Sequence, residues 1–402
     1  MARGWNPDYL AAQAELEAGQ EKIIQGRSLL LPKAELSLYA RQNKPIFSGR
    51  ENSSVYDNQI TINQPLFDIR KWIGYQKGQL ASQLAQTEFD LSQQSLLFQI
   101  IEAYFDILLA KDMLAATVAS KHAYAHQRDQ AIRAFELGNA TQIDVSEAQA
   151  SYDTAAAKEI SDQNTLELKQ QHLSRLTGLE SNKINQIQSV KDPLLLSFYT
   201  PQRSLQEWQG IAATHSPRLK GMMLSLGIAT QNVTEKRGEH WPVISFTAAY
   251  THPRREELNH HQPTIGIGVT LPLFSGGGLQ SSVREAISKE EVTRQQLLSA
   301  KQHTEEEVRK AFLGVSYGEV LIRARQTMVN SAKYKVESTR RGSELGLRTR
   351  LDLLLAEQAY YDALSSFSLA KYQYLLAYAQ LTRLTGTLDE ALLADINQLL
   401  KP

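Results

Sequence analysis

The sequence predicts a mixed α/β membrane protein that is mainly α. It has duplicated long α-helical hairpins, which form an α-barrel. Four β-strands per chain contribute to a trimeric twelve-stranded β-barrel. Three observations carry this reading. Residues 68 to about 137 and 278 to about 345 are helix-patterned and free of proline. Two pairs of short segments alternate apolar with small or polar residues, as half-buried strands do. Finally, the landmarks of the first half recur in the second at an offset of about 207 to 210 residues, so the chain is an internal duplication. The first repeat is 1–202 and the second 203–402.

Each repeat opens on a helix start. Asn6-Pro7 and Ser216-Pro217 join a capping side chain to a proline suited to the first helical position. Both helices end before a proline-led strand, at Leu31-Pro32 and Trp241-Pro242. Strands are expected at about 33–41 and 58–66, with Leu36, Leu38 and Ala40, then Ile60 and Ile62, on the apolar face. Residues 41–57 read as a polar connection rich in turn formers. The second pair is expected at about 242–251 (Ile244, Phe246, Ala248, Tyr250) and 264–273 (Ile265, Ile267, Val269, Leu271).

Each long helix would reach on the order of 100 Å at 1.5 Å per residue, beyond an ordinary globular helix. Leu84, Leu91, Phe98 and Phe105 share one heptad position, and Ile101 and Leu108 another, as in a coiled-coil seam. The helices turn at Phe135-Glu136-Leu137-Gly138-Asn139-Ala140-Thr141-Gln142-Ile143-Asp144 and at Ser343-Glu344-Leu345-Gly346-Leu347-Arg348-Thr349-Arg350-Leu351-Asp352. Return helices of about 142–176 and 350–384 end at Leu176-Thr177-Gly178 and Leu384-Thr385-Gly386. A connector with Pro193 and Pro201 joins the repeats, and a short helix-like tail closes the chain.

Composition narrows the chemistry. The 43 basic residues balance 43 acidic ones, which argues against nucleic acid as a partner. No cysteine is present, so disulfides, cysteine-bound zinc, thiol chemistry and a lipidated N-terminal cysteine are excluded for the chain as given. Apolar runs stay short, as in Leu353-Leu354-Leu355-Ala356, well below the roughly 18 to 20 residues of a spanning helix. A β-barrel leaves a far weaker signal. The N-terminus lacks a signal-peptide pattern, so either the protein is cytoplasmic or a leader has been removed.

Four strands cannot close a barrel, and an open sheet would leave unpaired edges in lipid. Three chains supply twelve strands, an even number in the range of membrane barrels, and bring the hairpins together as a hollow cylinder. This arrangement resembles the TolC family of outer-membrane ducts over nearly the whole chain. The residues that carry the resemblance are Asn6-Pro7, Leu30-Leu31-Pro32, Gln64-Pro65-Leu66-Phe67-Asp68, Ala103-Tyr104-Phe105, the two tips, Ala150-Ser151-Tyr152-Asp153 and Leu176-Thr177-Gly178. The resemblance implies a homotrimer in the outer membrane of a Gram-negative bacterium, in contact with its lipid and extending into the periplasm. It implies a passive exit duct for small molecules or polypeptides, in a tripartite efflux or type I secretion system. The partners it implies are a periplasmic adaptor (membrane fusion) protein and, through it, an inner-membrane pump. Neither a cofactor nor enzymatic activity is expected.

By position, the resemblance makes Leu137, Gly138, Asn139, Leu345, Gly346 and Leu347 the adaptor-docking tips. The alternative is that the glycines only make the turn. It places a gate-closing arginine at Arg348 and an acidic partner at Asp144. Asp352 lies one helical turn past Arg348 and would form an acidic ring in a trimer. Two positions depart from the family pattern. A second acid is replaced by Leu355, and a latching tyrosine by Ser343, so a reduced latch and one acidic ring are expected. The alternative is an ordinary surface pair of Arg348 and Asp352.

Other signals weigh little. His122 and His126 have helical metal-pair spacing without an HExxH glutamate, and His252, His260 and His261 lie in a polar connection without ligand spacing. Gly276-Gly277-Gly278 reads as a strand-to-helix junction rather than a phosphate loop, and Glu305-Glu306-Glu307 as a solvated helix face. The competing reading of the whole chain is a soluble coiled-coil scaffold or tether, which has no use for two hairpins with one apolar face each.

Overall fold

The computed structural model describes residues 2–43, 53–185, 203–254 and 262–388. His260, His261, the two connector prolines and most of the expected C-terminal tail lie outside the described residues. After a 3-10 turn at Ala2–Gly4, the first half runs α1 (Pro7–Ser28), β1 (Lys33–Asn43), β2 (Ser53–Phe67), α2 (Ile69–Glu136), α3 (Gln142–Thr177) and a short α4 (Ser181–Asn185). The second runs α5 (Leu205–His215), α6 (Pro217–Gly238), β3 (Val243–Arg254), β4 (Gln262–Thr270), α7 (Gly278–Glu344) and α8 (Arg350–Leu384). The chain divides into two compact units, each drawing on both halves of the sequence.

The first unit comprises residues 1–12, 90–216 and 301–402. Its core is the seam of α2 closed against α7 and α8. Ile101, Phe105 and Leu108 are buried with Val308, Val315, Tyr372, Ala379 and Leu381, and Trp208 and Ala212 of α5 join them. The Phe105 and Tyr372 rings lie 6.0 Å apart. A polar cluster sits inside this apolar seam and is paired. Tyr372 donates its hydroxyl to Asp112 at 3.1 Å, and the buried Lys371 ammonium lies 3.6 Å from the same carboxylate. At the start of α1, Asn6 is buried and its side-chain oxygen accepts the Tyr9 amide at 3.0 Å, capping the helix.

The second unit comprises residues 13–89 and 217–300. Here α1 approaches α2 closely: a Cβ on Gly78 would come within 2.4 Å of the Lys22 carbonyl. The unit also holds the strands, which form one antiparallel sheet in the order β1-β2-β3-β4. The two expected hairpins are therefore joined through β2 and β3. Its register places Leu36 opposite Ile60, Ile60 opposite Tyr250, Phe246 opposite Ile267 and Ile244 opposite Val269. Directly opposed side chains share a face, so these residues form one apolar surface. It lies open within the chain: Leu38 is 68% exposed, Ile265 74% and Ile267 68%. The opposite face carries Ser37, Gln59, Thr61, Thr247, Gly266 and Gly268. On it, Thr247 donates to the Asn63 side chain at 2.7 Å.

The strands differ from expectation at their ends. β1 and β2 extend into the stretch read as a polar connection, pairing Arg41 with Val55 and Asn43 with Ser53. Ladder bonds are made by the backbone, so polar side chains do not stop them. β4 stops at Thr270, ahead of Pro272, which has no amide hydrogen to offer.

Candidate gate and docking tips

Two devices build each tip, and they are the same two. At the first, the Gly138 amide bonds to Phe135 O at 2.9 Å and the Asn139 amide to Ala134 O at 2.7 Å. At the second, the Gly346 amide bonds to Ser343 O at 3.1 Å and the Leu347 amide to Gly342 O at 2.8 Å. This is the Schellman helix stop, with the glycines in the left-handed region at φ +74° and +72°. A Cβ on either would meet nothing within 4 Å, so backbone conformation, not crowding, selects glycine.

The return helices then start on reciprocal caps. The Thr141 amide and hydroxyl both donate to Asp144 Oδ2 at 2.7 Å, and the Asp144 amide returns to Thr141 Oγ1 at 3.3 Å. The Thr349 amide donates to Asp352 Oδ2 at 3.0 Å, and the Asp352 amide to Thr349 Oγ1 at 3.1 Å. The Thr141 backbone N–H is the main reason the Asp144 carboxyl is held below the usual range, with a smaller contribution from Arg350. The Thr349 N–H acts likewise on Asp352, with smaller contributions from Arg348 and Lys335.

The turn thus accounts for glycine, threonine and aspartate in each repeated tip. It does not account for the apolar residues that stand out from them. Leu137 is 76% exposed, Leu345 74% and Leu347 77%. Asn139 and Arg348 are exposed beside them, and the Arg348 chain lies against Gly342. Leu355, on the second return helix, is also exposed. Within one chain Asp144 feels Arg350, and Asp352 feels Arg348.

Behind the tips lies a cavity of about 580 Å³. Asp144 and Ser343 reach its wall, together with Arg350 and Glu357, neither of which sequence reasoning had assigned a role. Glu357 is buried; it accepts from Arg340 Nη2 at 3.2 Å and from the Gln127 amide. Burial pushes its carboxyl above the usual range, against the pull of Arg340. A signal for it does exist in the sequence: Glu357 falls three residues after Leu354, on the buried side of the helix.

Comparison with known proteins identifies the family and the fold. The profile of the outer membrane efflux protein family matches residues 1–179 and 208–387. The alkaline protease secretion protein AprF of Pseudomonas aeruginosa is 30% identical over 400 residues, covering 96% of this chain and 83% of AprF. The outer membrane protein TolC of Vibrio cholerae is 27% identical over 409 residues, covering 100% of this chain and 92% of TolC. In fold, the chain is similar to the crystal structure of the outer membrane protein VceC from Vibrio cholerae. That match has a TM-score of 0.83 at 16% identity, over 96% of this chain and 94% of VceC. The scaffold reading is set aside: the chain belongs to the outer membrane efflux protein family, the TolC family, whose members are outer-membrane exit ducts and not enzymes.

Proposed function

We propose that three copies of this chain form the exit duct of a tripartite export system, gated and docked at the helical tips. The observation that carries this is the sheet. It has one apolar face open to its surroundings, one polar face, and edges at β1 and β4 with no partner among the described residues of the chain. Lipid suits the first, a wet lumen the second, and only neighbouring copies remove the edges. Where strands give way to helices, Phe67 and Trp241 lie 6.3 Å apart and Trp72 is half exposed. Such rings suit the headgroup level of a bilayer. The repeated division of the chain, 1–202 and 203–402, gives each copy two hairpins and two strand pairs, so the trimer has six tips.

At those tips the exposed leucines form the surface for a periplasmic adaptor, which links the duct to an inner-membrane pump. Arg348 and Asp144 carry opposite charge on different hairpins, and a neighbouring copy could bring them together as a solvated, breakable latch. Asp352 adds one acidic ring, and Leu355 and Ser343 leave the latch reduced. The cargo favoured is protein, delivered by a type I system, because a protease secretion protein is 30% identical over almost the whole chain.

The test is secretion of a co-expressed protease, with its own adaptor and pump, from a strain lacking its duct. This chain should restore secretion and should be recovered as a detergent-requiring trimer that conducts ions in planar bilayers. Recovery as a water-soluble monomer would end the duct reading. A conducting trimer that restores drug resistance but not secretion would replace the cargo.

A further inference from the structure

The polar face of the sheet departs from its own pattern at its two edges. On β1, Tyr39 sets a large ring, 62% exposed, on the face that also carries Ser37 and Gln59. On β4, Gly266 and Gly268 occupy the same face with no side chain at all. Nothing within the chain selects glycine there. Neither residue has a left-handed backbone. A Cβ on Gly266 would meet nothing within 4 Å, and one on Gly268 only Ser245 Oγ at 3.7 Å, an ordinary contact. A strand glycine that local geometry does not require marks the close approach of another group. Because β4 is an edge strand of the described sheet, that group comes from outside the chain.

The internal duplication says which group it is. An offset of 210 residues carries β1 onto β3, and one of 207 carries β2 onto β4. Under these offsets the two hairpins share one register. Lys33 opposite Asn63 becomes Val243 opposite Thr270, and Glu35 opposite Thr61 becomes Ser245 opposite Gly268. The remaining seam, β2 against β3, has as its counterpart β4 against the β1 of a second copy. Carried over, the β2–β3 register sets Leu271 opposite Leu36, Val269 opposite Leu38 and Ile267 opposite Ala40. Apolar residues then meet apolar ones, which a slip of one residue would forbid. The hydrogen-bonded Thr247 and Asn63 become Ser37 and Thr270, two hydroxyls able to do the same. At the strand ends, the adjacent rings of Phe67 and Trp241 become Phe274, 90% exposed, and Leu31, 49% exposed. The decisive pair is Thr61 opposite Ala249. Its counterpart is Gly268 opposite Tyr39, so the bulk lost from one strand reappears on the other.

We propose that Tyr39 of one copy lies over Gly268 of the next, and that this exchange of bulk sets the register in which copies join. The inference rests on the trimeric duct reading, since its partner is a second copy of this chain. No turn ties β4 to the β1 of another copy, so side chains alone must choose the register. A slip of two residues keeps every face in place, and the apolar pattern does not oppose it. Such a slip moves Phe274 away from Leu31 and sets Tyr39 opposite Thr270 or Gly266. In the carried-over register the ring fills the space beside Gly268 and covers its backbone, as an aromatic laid over an edge glycine does.

Two measurements on the full chain test this. The chain has no native cysteine, so Leu38→Cys can be combined with Val269→Cys, Ile267→Cys or Leu271→Cys and oxidised mildly in outer membranes. The Val269→Cys pair should link copies several-fold more completely than either slipped pair. The second measurement is heat dissociation of the trimer in detergent for Tyr39→Ala, Gly268→Thr and the double variant, which rebuilds the Ala249–Thr61 pairing. Each single change should lower the dissociation temperature by several degrees, and the double variant should recover most of the loss. If Gly268→Thr does not assemble, Gly268→Ala takes its place. Stronger linking at a slipped pair, or a double variant whose losses add, overturns the role of Tyr39 and leaves the trimer standing. A chain that stays monomeric and links at none of the pairs overturns the duct reading, and this inference with it.

Discussion

Asp144 and Asp352 hold two positions at once. Each accepts the amide of its capping threonine, which secures the start of a return helix, and each carries charge beside a hairpin tip. Truncating Asp352 would therefore confuse a lost cap with a lost gate charge. Asp352→Asn keeps an acceptor for the Thr349 amide and removes only the charge. It should weaken cation selectivity in planar bilayers, while Arg348→Ser should raise conductance; no change in either removes the gate assignment. Because hydrogen bonding depresses both carboxyls, the caps are intact above the ordinary carboxylate range and are lost as pH falls through their lowered values. At Gly138 and Gly346 there is room for a side chain but not for its backbone preference. Valine at either should cost on the order of 1–2 kcal/mol through the left-handed conformation. With both replaced, export should stop while trimers still form, as read by secretion assay and native gel. Normal export would return the glycines to the turn alone.

At the scale of elements, the sheet separates residues that composition leaves alike. Ile267 and Gln59 are on strands of the same sheet but on opposite faces. Ile267→Lys should destabilise the membrane-inserted trimer by up to about 2–4 kcal/mol, and Gln59→Lys should be tolerated. Heat-induced dissociation of the trimer in detergent measures the difference; equal sensitivity at both positions would contradict a lipid-facing apolar surface. The helices follow the opposite rule. Their buried positions lie on seams that α2, α7 and α8 close within the chain, so Phe105 and Leu108 face protein where Ile267 faces outward.

At the scale of the whole molecule, the open edges of β1 and β4 are the strongest argument for assembly. The chain has no native cysteine, so introduced pairs report without background. Cysteines scanned along β1 and β4 should crosslink between copies and give a ladder that ends at three chains. A crosslink confined to single chains would mean that the sheet curls onto itself. The six tips of such a trimer are of two kinds. The first carries Asn139 and Ala140 where the second carries Leu347 and Arg348, on the same turn geometry.

The sequence by itself determined the order and type of the elements, because each rests on local chemistry. Proline-free runs, period-two alternation and the repeated Leu-Gly and Thr-x-x-Asp of the tips specify helix, strand and turn from neighbours only a few residues apart. The tertiary structure decided which groups separated by long stretches of chain meet. It joined the two hairpins through β2 and β3, a pairing between residues nearly two hundred positions apart. It likewise brought Gln127 to Glu357 across 230 residues, placing a carboxylate inside a wall that its own helix shows only as one acid after a run of leucines. Periodicity tells which side of a helix is buried; it does not tell which partner a buried charge will find, and at Glu357 that partner lies on another hairpin.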